Sequence, residues 1–463
     1  MRSTTLTLSR LACIGSLAIL ATGNVSGAAE PAWRAGVARV RITPEGPYWM
    51  GGYASRKKPS EGTLQDLHAK AIAIDDAEGS RIVIVTTDLL VIPKDFAEAV
   101  ARQVAQKYGL SRSRLLLNCS HTHSGPEIRL YRDTLHNIPD VYVKKMRQYV
   151  KTLEDKLVGI VGAAIENQRP AVLAVSQGGA AFAVNRRNNR EQDVPELRQA
   201  GALKGPVDHD VPVMRVSDAD GNVLAILFGY ACHNTTLGLF ETSGDYAGFA
   251  QQFLEEQHPE ALAMFVMGAG GDQNPLPRRK VEYARAHGKA LADAVEETLA
   301  APQRRIAGSL RVALANAPLE FQPHADRATL ENQAESKNQY QRWKANYILG
   351  ELDAGRTVSR KYDLPVQVAA FGNDVLLVAV GGETVVDYSL RVKREYARKD
   401  GPLVWFAGYS NDVFGYLPSL RVLKEGGYEG GGHMVYTKFP GPFTATVEQR
   451  VFQTIERLVG KVE

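Results

Sequence analysis

Three histidines and one glutamate carry the chemistry this sequence can offer. His121 and His123 lie in the run SHTHSGP (120–126), His233 in CHN (232–234) and Glu383 in GGE (381–383). A hydrolytic zinc site uses about three imidazole or carboxylate ligands and leaves one position open for water. Two of these histidines with the glutamate satisfy that count. The four residues come from distant parts of the chain, so no short spacing rule joins them. A lone histidine is more often a satisfied structural residue. What joins them is position. His121 and His123 are two residues apart, so on an extended segment they share a face. Every member of the set follows a short apolar run and sits among Gly, Ser, Asn and Pro.

Those apolar runs are the elements that must position the set. Residues 81–86 (RIVIVT), 114–117, 223–228, 262–266, 375–380 and 403–407 read as strands. Stretches of helical periodicity alternate with them at 95–107, 140–165, 279–299, 384–398 and 445–459, and 322–355 reads as a polar-faced surface helix. The alternation predicts an α/β fold, with a mixed, largely buried β-sheet core flanked by helices and the active site at the carboxyl ends of strands. Ligands in such folds bind beyond those strand ends. Asp88, 120–126, 232–234, 270–275, 381–383 and 408–412 each follow a predicted strand, and they are expected to form six walls of one site. No repeat of fixed period and no low-complexity segment stands out.

The bulk numbers bound the rest. A chain of 463 residues, 44% hydrophobic and 23% charged, can bury the core of one large domain or two intimate ones. Its formal net charge of +4 gives no reason to expect nucleic acid. Arg2 and Arg10, an apolar stretch at 11–21 and small residues at 26–29 read as a secretory signal peptide, too short to span a bilayer. That predicts a secreted or periplasmic mature chain of residues 30–463, with no transmembrane segment. Cys119 and Cys232 remain in it, and either a disulfide or two buried thiols fits their placement.

Several ordered segments resemble the neutral (non-lysosomal) ceramidase family across nearly the whole mature chain. They are 36–43 (GVARVRIT) with Met50-Gly51-Gly52-Tyr53, 118–126 (NCSHTHSGP), Asn185-Arg186, 231–235 (ACHNT), 381–384 (GGET), and 407–416 (AGYSNDVFGY) with Tyr428-Glu429-Gly430. The resemblance implies one zinc ion per chain, held by His121, His233 and Glu383, with Tyr416 a fourth and more distant ligand. It implies His123 as an acid/base group, and Arg186 and Tyr428 as groups that bind the substrate carbonyl and its oxyanion. The implied reaction is hydrolysis of an N-acyl amide, ceramide-like N-acylsphingosine, by zinc-activated water. These roles are chemically coherent. Zinc brings the pKa of water to about 7, an oxyanion donor contributes about 3 kcal/mol, and an imidazole can protonate the leaving amine.

The sequence departs from the family pattern in three places. Residues 271–275 read GDQNP, with Asn274 where the family usually carries serine. An amide side chain is no nucleophile, so Asn274 is expected to bind substrate while zinc water attacks. A zinc-binding member without catalysis is the alternative. The family's further immunoglobulin-like domain has no counterpart before Glu463, so one catalytic domain is expected. Finally, Arg186, Arg187 and Arg190 cluster, as an anionic-substrate wall or as a solvated loop. With the missing domain, they keep open a non-lipid acyl substrate such as an N-acetylated sugar or an ester. His209 and Asp210 are lesser metal candidates against an ordinary turn.

Overall fold

The computed structural model describes residues 33–463, so the signal-peptide expectation for 1–29 lies outside the described residues. One string of elements occurs three times: strand, long connection, two-strand hairpin, helix, strand, helix. The first unit is β1 (Trp33–Arg41), β2 (His68–Asp76), β3 (Arg81–Thr87), α1 (Lys94–Tyr108), β4 (Leu115–Cys119) and α2 (Asp140–Glu166). The second is β5 (Arg169–Gly179), β6 (Asp210–Asp218), β7 (Val223–Tyr230), α3 (Asp245–Gln257), β8 (Leu262–Met267) and α4 (Val281–Ala300). The third begins with β9 (Leu310–Glu320) and carries α5 (Arg327–Ala334) and α6 (Gln339–Asp353) in its long connection. It continues with β10 (Lys361–Phe371), β11 (Val375–Val380), α7 (Val386–Tyr396), β12 (Leu403–Ala407) and α8 (Val447–Val462). In every unit the first three strands pair antiparallel and the fourth runs parallel to the third. A structural repeat therefore exists where no sequence period announced one.

Units one and two join through the antiparallel pair β1–β5 into a nine-stranded sheet, ordered β4-β3-β2-β1-β5-β6-β7-β8, with the short segment Arg304–Arg305 against β5. Unit three makes a four-stranded sheet, β9-β10-β11-β12. Strand alternation gives each sheet two apolar faces. Val83, Leu117, Phe228 and Phe265 pack under Val100 of α1, Leu157 of α2, Leu254 of α3 and Leu291 of α4. On the opposite face Ile84, Leu116, Leu227 and Met264 meet Phe371, Leu377 and Trp405 of the small sheet. The small sheet's outer face buries Val366, Val378 and Phe406 against Val392 of α7 and Phe452 and Ile455 of α8. The result is helix, sheet, sheet, helix in four layers, the mixed α/β class expected. Each fully buried large side chain contributes about 1.5–3 kcal/mol.

The six runs recognised in the sequence are the third and fourth strands of the three units. Two helices differ from expectation. The 322–355 stretch breaks in two, because Asn338 caps α6 by accepting from the amides of Tyr340 and Gln341. The 384–398 helix starts only at Val386, because Glu383–Thr384 pairs as a strand with Tyr416–Leu417.

Since β1 and β5 are antiparallel, a flat sheet would put the carboxyl ends of β4 and β8 at opposite rims. Sheets twist by about 20–25° per neighbour, and across eight strands that accumulates to roughly half a turn. Twist turns the edge strands' carboxyl ends toward one side, and the sheet also curls, so that the two edge strands meet. Asn118, fully buried on β4, accepts from the Met267 amide on β8 (2.8 Å) and donates to the carbonyl of Gly408 beyond β12 (2.8 Å). One side chain thus clamps all three units where their loops converge.

Candidate metal centre and active site

Glu383 and His233 occupy equivalent places, each three residues beyond the third strand of its unit. The equivalent residue of unit one is Leu90, which offers only its carbonyl. His121 Nδ1 donates to that oxygen (2.6 Å), so the imidazole comes from the loop after β4 instead. His233 Nδ1 donates likewise to the Gly270 carbonyl. With both Nδ1 atoms engaged by backbone, both Nε2 lone pairs face inward, the arrangement that orients metal-binding imidazoles. His121 holds a left-handed backbone, φ 62°, which costs about 1–3 kcal/mol outside glycine. Its amide bond to Leu89 O (2.9 Å) and its ring bond to Leu90 keep it there.

Glu383 Oε2 lies 3.2 Å from His121 Nε2 and 3.4 Å from His233 Nε2. Two ligand atoms about 2.0–2.1 Å from one tetrahedral ion stand about 3.4 Å apart. Glu383 Oε2 is also buried without a hydrogen-bond partner, which is costly for an anionic oxygen. The donor set therefore fits a metal ion. His123 belongs to the same cluster: donor atoms of His121, His123 and His233 all lie within 4.8 Å of one another, and His123 Nδ1 is buried and unpartnered. Burial, with the Arg186 charge second, brings His233 down to about 4. Burial and the neighbouring imidazoles push His123 well below the ordinary value. Both rings are thus neutral, the form that binds metal.

Tyr416 completes the ring around the centre. Its hydroxyl is 3.2 Å from His233 Nε2 and accepts from Arg186 Nη2 (3.0 Å). Burial keeps this phenol protonated despite the Arg186 charge. The other Arg186 donors go to Glu429 Oε1 (2.7 Å) and Asn274 Oδ1 (3.3 Å). His121, His123, Glu383, Tyr416 and Tyr428 line one cavity, whereas Arg186 and Asn274 line a second. Tyr428, 48% exposed, borders both. The arginine cluster in the second cavity is paired: Arg187 with Glu429 (2.6 Å) and Glu425 (3.1 Å), and Arg190 with Asp193 (2.7 Å).

Other expected walls stand elsewhere. Asp88 accepts from the His68 amide (2.9 Å) and lines a different surface cavity. Asp412 is bound to Tyr362, and Asn411 accepts from the Leu117 amide, inside the sheet junction. His209 donates to the Ala183 carbonyl and Asp210 pairs with Lys393, so neither sits at a metal. Asp272 accepts from Asn185 (3.1 Å) and from the amide of Val386 (2.9 Å), tying the loop after β8 to the start of α7. Cys119 and Cys232 are free, buried thiols. Among the described residues no helix is long and apolar enough to cross a membrane.

Three further residues support the site; Arg56 and His433 gave no sequence signal, whereas Tyr409 lies in the 408–412 loop expected as a wall. Arg56 donates to the carbonyls of Gly51, His123 (2.6 Å) and Leu239 (2.6 Å) and so fixes the loop of His123. His433 donates from Nδ1 to Tyr428 O (3.1 Å) and accepts at Nε2 from the Tyr416 amide (3.2 Å). Tyr409, with φ 51°, lays its ring 4.7 Å from that of His121. A lone Arg or His has no pattern to betray it.

Known proteins resemble this chain in sequence and in fold. A family profile described as "Neutral/alkaline non-lysosomal ceramidase, N-terminal" matches residues 33–275. Neutral ceramidase A of Dictyostelium discoideum is 28% identical over 249 residues, half of this chain and 34% of that protein. Neutral ceramidase 1 of Arabidopsis thaliana is 24% identical over 277 residues, 57% of this chain and 34% of that protein. The matched stretch is thus about a third of these relatives' length. The crystal structure of neutral ceramidase from Pseudomonas aeruginosa superimposes with a TM-score of 0.70 at 20% identity, covering 93% of this chain and 74% of that one.

Proposed function

This chain belongs to the neutral/alkaline non-lysosomal ceramidase family, and we propose that it is a zinc-dependent amidohydrolase that cleaves N-acyl amides. The observation that carries the reading is the convergence of His121 Nε2, His233 Nε2 and Glu383 Oε2 at tetrahedral ligand spacing around a buried oxygen that has no other partner. These three residues hold one zinc ion per chain, with Tyr416 beside it. When bound, zinc supplies a Lewis acid and an acidified water at neutral pH.

The chain's own groups supply the rest. The phenols of Tyr416 and Tyr428 stay protonated, Tyr428 with a pKa pushed up to about 12 by partial burial and by the charge of Glu383, and they donate toward the substrate carbonyl oxygen as charge builds. His123, with an unpartnered nitrogen in the cavity, moves a proton toward the leaving amine. Arg186 acts through Tyr416, whose oxygen it holds. Asn274 acts one step further back, on Arg186. Ceramide-like N-acylsphingosine is the first substrate class. A polar acyl amide is the second, favoured by a cavity wall of Arg56, Glu127, Arg129, Arg132 and His136. We also propose export to the periplasm or medium, on the leader pattern of residues 1–29, and one catalytic domain over 30–463.

The test is metal analysis of the purified chain with a substrate panel. About one zinc per chain, lost together with amide hydrolysis in His121→Ala, is the expected result. A protein that holds no zinc after reconstitution and cleaves no amide would sink the proposal.

A further inference from the structure

Arg132 ends the short helical turn Leu130–Arg132 and lines the cavity of the candidate metal centre. Among the described residues it makes no salt bridge, and its Nε is buried without a hydrogen-bond partner. The other guanidinium groups of this cavity are engaged through their terminal nitrogens, although Arg56 Nε too lacks a partner. Arg129 forks onto Glu127 with two bonds of 2.7 Å, and Arg56 holds three backbone carbonyls. Glu127 is thereby consumed, and Glu383 faces the histidines. No carboxylate is left to answer Arg132. A cleft with uncompensated cations and low-dielectric walls draws in anions.

A half-buried, planar fork of N–H donors whose buried Nε has no acceptor matches a carboxylate in shape and charge. We propose that Arg132 receives a carboxylate of the substrate, so that the compound cleaved here is an acidic N-acyl amide of the N-acyl amino acid class. The inference rests on the amidohydrolase reading above. Water adds across the amide C–N bond, giving a carboxylic acid and the free amino acid. Arg132 positions the carboxylate of the amino-acid portion and takes no part in proton transfer.

The experiment compares an N-acyl amino acid with its neutral carboxamide and with a short-chain ceramide, on zinc-loaded enzyme. Wild type is expected to favour the acid in kcat/KM by at least about 30-fold, since a site built around a polar partner rejects the analogue that lacks it. In Arg132→Gln that ratio falls to within about threefold, with zinc content unchanged, and Arg132→Lys restores part of it. An acid-to-carboxamide ratio near one in wild type, preference for ceramide, or a ratio that survives Arg132→Gln would overturn the inference while leaving amide hydrolysis standing. If no amide is cleaved, calorimetry with the N-acyl amino acid decides. Binding lost in Arg132→Gln upholds the carboxylate site although the hydrolase reading falls, and absence of binding to wild type removes the inference as well.

Discussion

Tyr428 divides two cavities that look alike in composition and differ in bookkeeping. On one side Arg186, Arg187 and Arg190 all meet carboxylates, and Asn274 accepts from Arg186. On the other, Glu383 Oε2, His123 Nδ1 and Arg132 Nε are buried with no partner. Native interiors satisfy nearly all buried polar groups. With Arg56 Nε there are four such exceptions in this cavity, against Arg187 Nε alone in its neighbour, and that difference marks where a ligand is meant to complete the protein. The arginine-rich segment 186–190 drew attention in the sequence, yet its charges are neutralised within the fold. The cation left free, Arg132, is a single residue in an unremarkable stretch.

The sharpest way to break this contrast is to alter the unsatisfied oxygen. Glu383→Gln keeps the shape and removes the charge. Zinc is expected to fall from about one per chain to near zero at micromolar metal, and amide hydrolysis to background. A ligand present at 1,000 times its Kd stabilises a fold by about 4 kcal/mol. Zinc should therefore raise the unfolding midpoint of wild type and leave that of the variant unmoved. A Glu383→Gln protein that retains full zinc would show that His123 completes the ligand set in place of the glutamate, which the 4.8 Å histidine cluster permits.

What the sequence made legible follows the same line between local and cooperative features. β3, β4, β7, β8, β11 and β12 are short, apolar and almost wholly buried, and all but β3, which is followed by Asp88 and an apolar run, end in polar loops that contain glycine, so all six could be read. The first strands of the units could not. β1 (WRAGVARVR) and β9 (LRVALANAPLE) mix Arg, Ala and Gly with exposed positions, because each lies partly uncovered. Missing those strands hid the threefold repeat. The histidines and Glu383 were legible as residues at strand ends. Their meeting depends on the accumulated twist and curl that bring β4 to β8, and on Asn118, and neither leaves a local pattern. Asp88 shares the motif position of the true wall residues and turns away to cap the start of β2.

A second test sets the two arginine groups against each other in stability. Arg187 and Glu429 are a buried pair, with side chains 9% and 6% exposed. Removing one partner from such a pair costs about 3–5 kcal/mol, and the bond Glu429 keeps to Arg186 (2.7 Å) puts this case at the lower end. Arg187→Met should therefore lose about 3 kcal/mol in urea unfolding of the zinc-loaded protein. Arg132→Gln, which breaks no bond to the protein, should lose under about 0.5 kcal/mol. Equal losses would mean that Arg132 has a structural partner and that the two cavities do not differ as described.

The smallest effect reads the free charge directly. His136 lines the same cavity, and its pKa is lowered to about 4, first by burial and next by the charge of Arg132. A folded-state value below the unfolded value of about 6.5 means that the unfolded chain takes up the proton first as pH falls. The stability His136 contributes is complete above pH 6.5 and is lost on descending to pH 4. Arg132→Gln removes the second cause and leaves burial, so NMR titration should show the His136 value rising by a fraction of a unit. The acid limb of stability should become correspondingly shallower. A bound carboxylate ligand should raise the wild-type value in the same way, since it neutralises the same charge. A His136 value that ignores both the substitution and the ligand would mean that Arg132 does not present its charge to this cavity, and the asymmetry between the two sides of Tyr428 would then rest on the metal ligands alone.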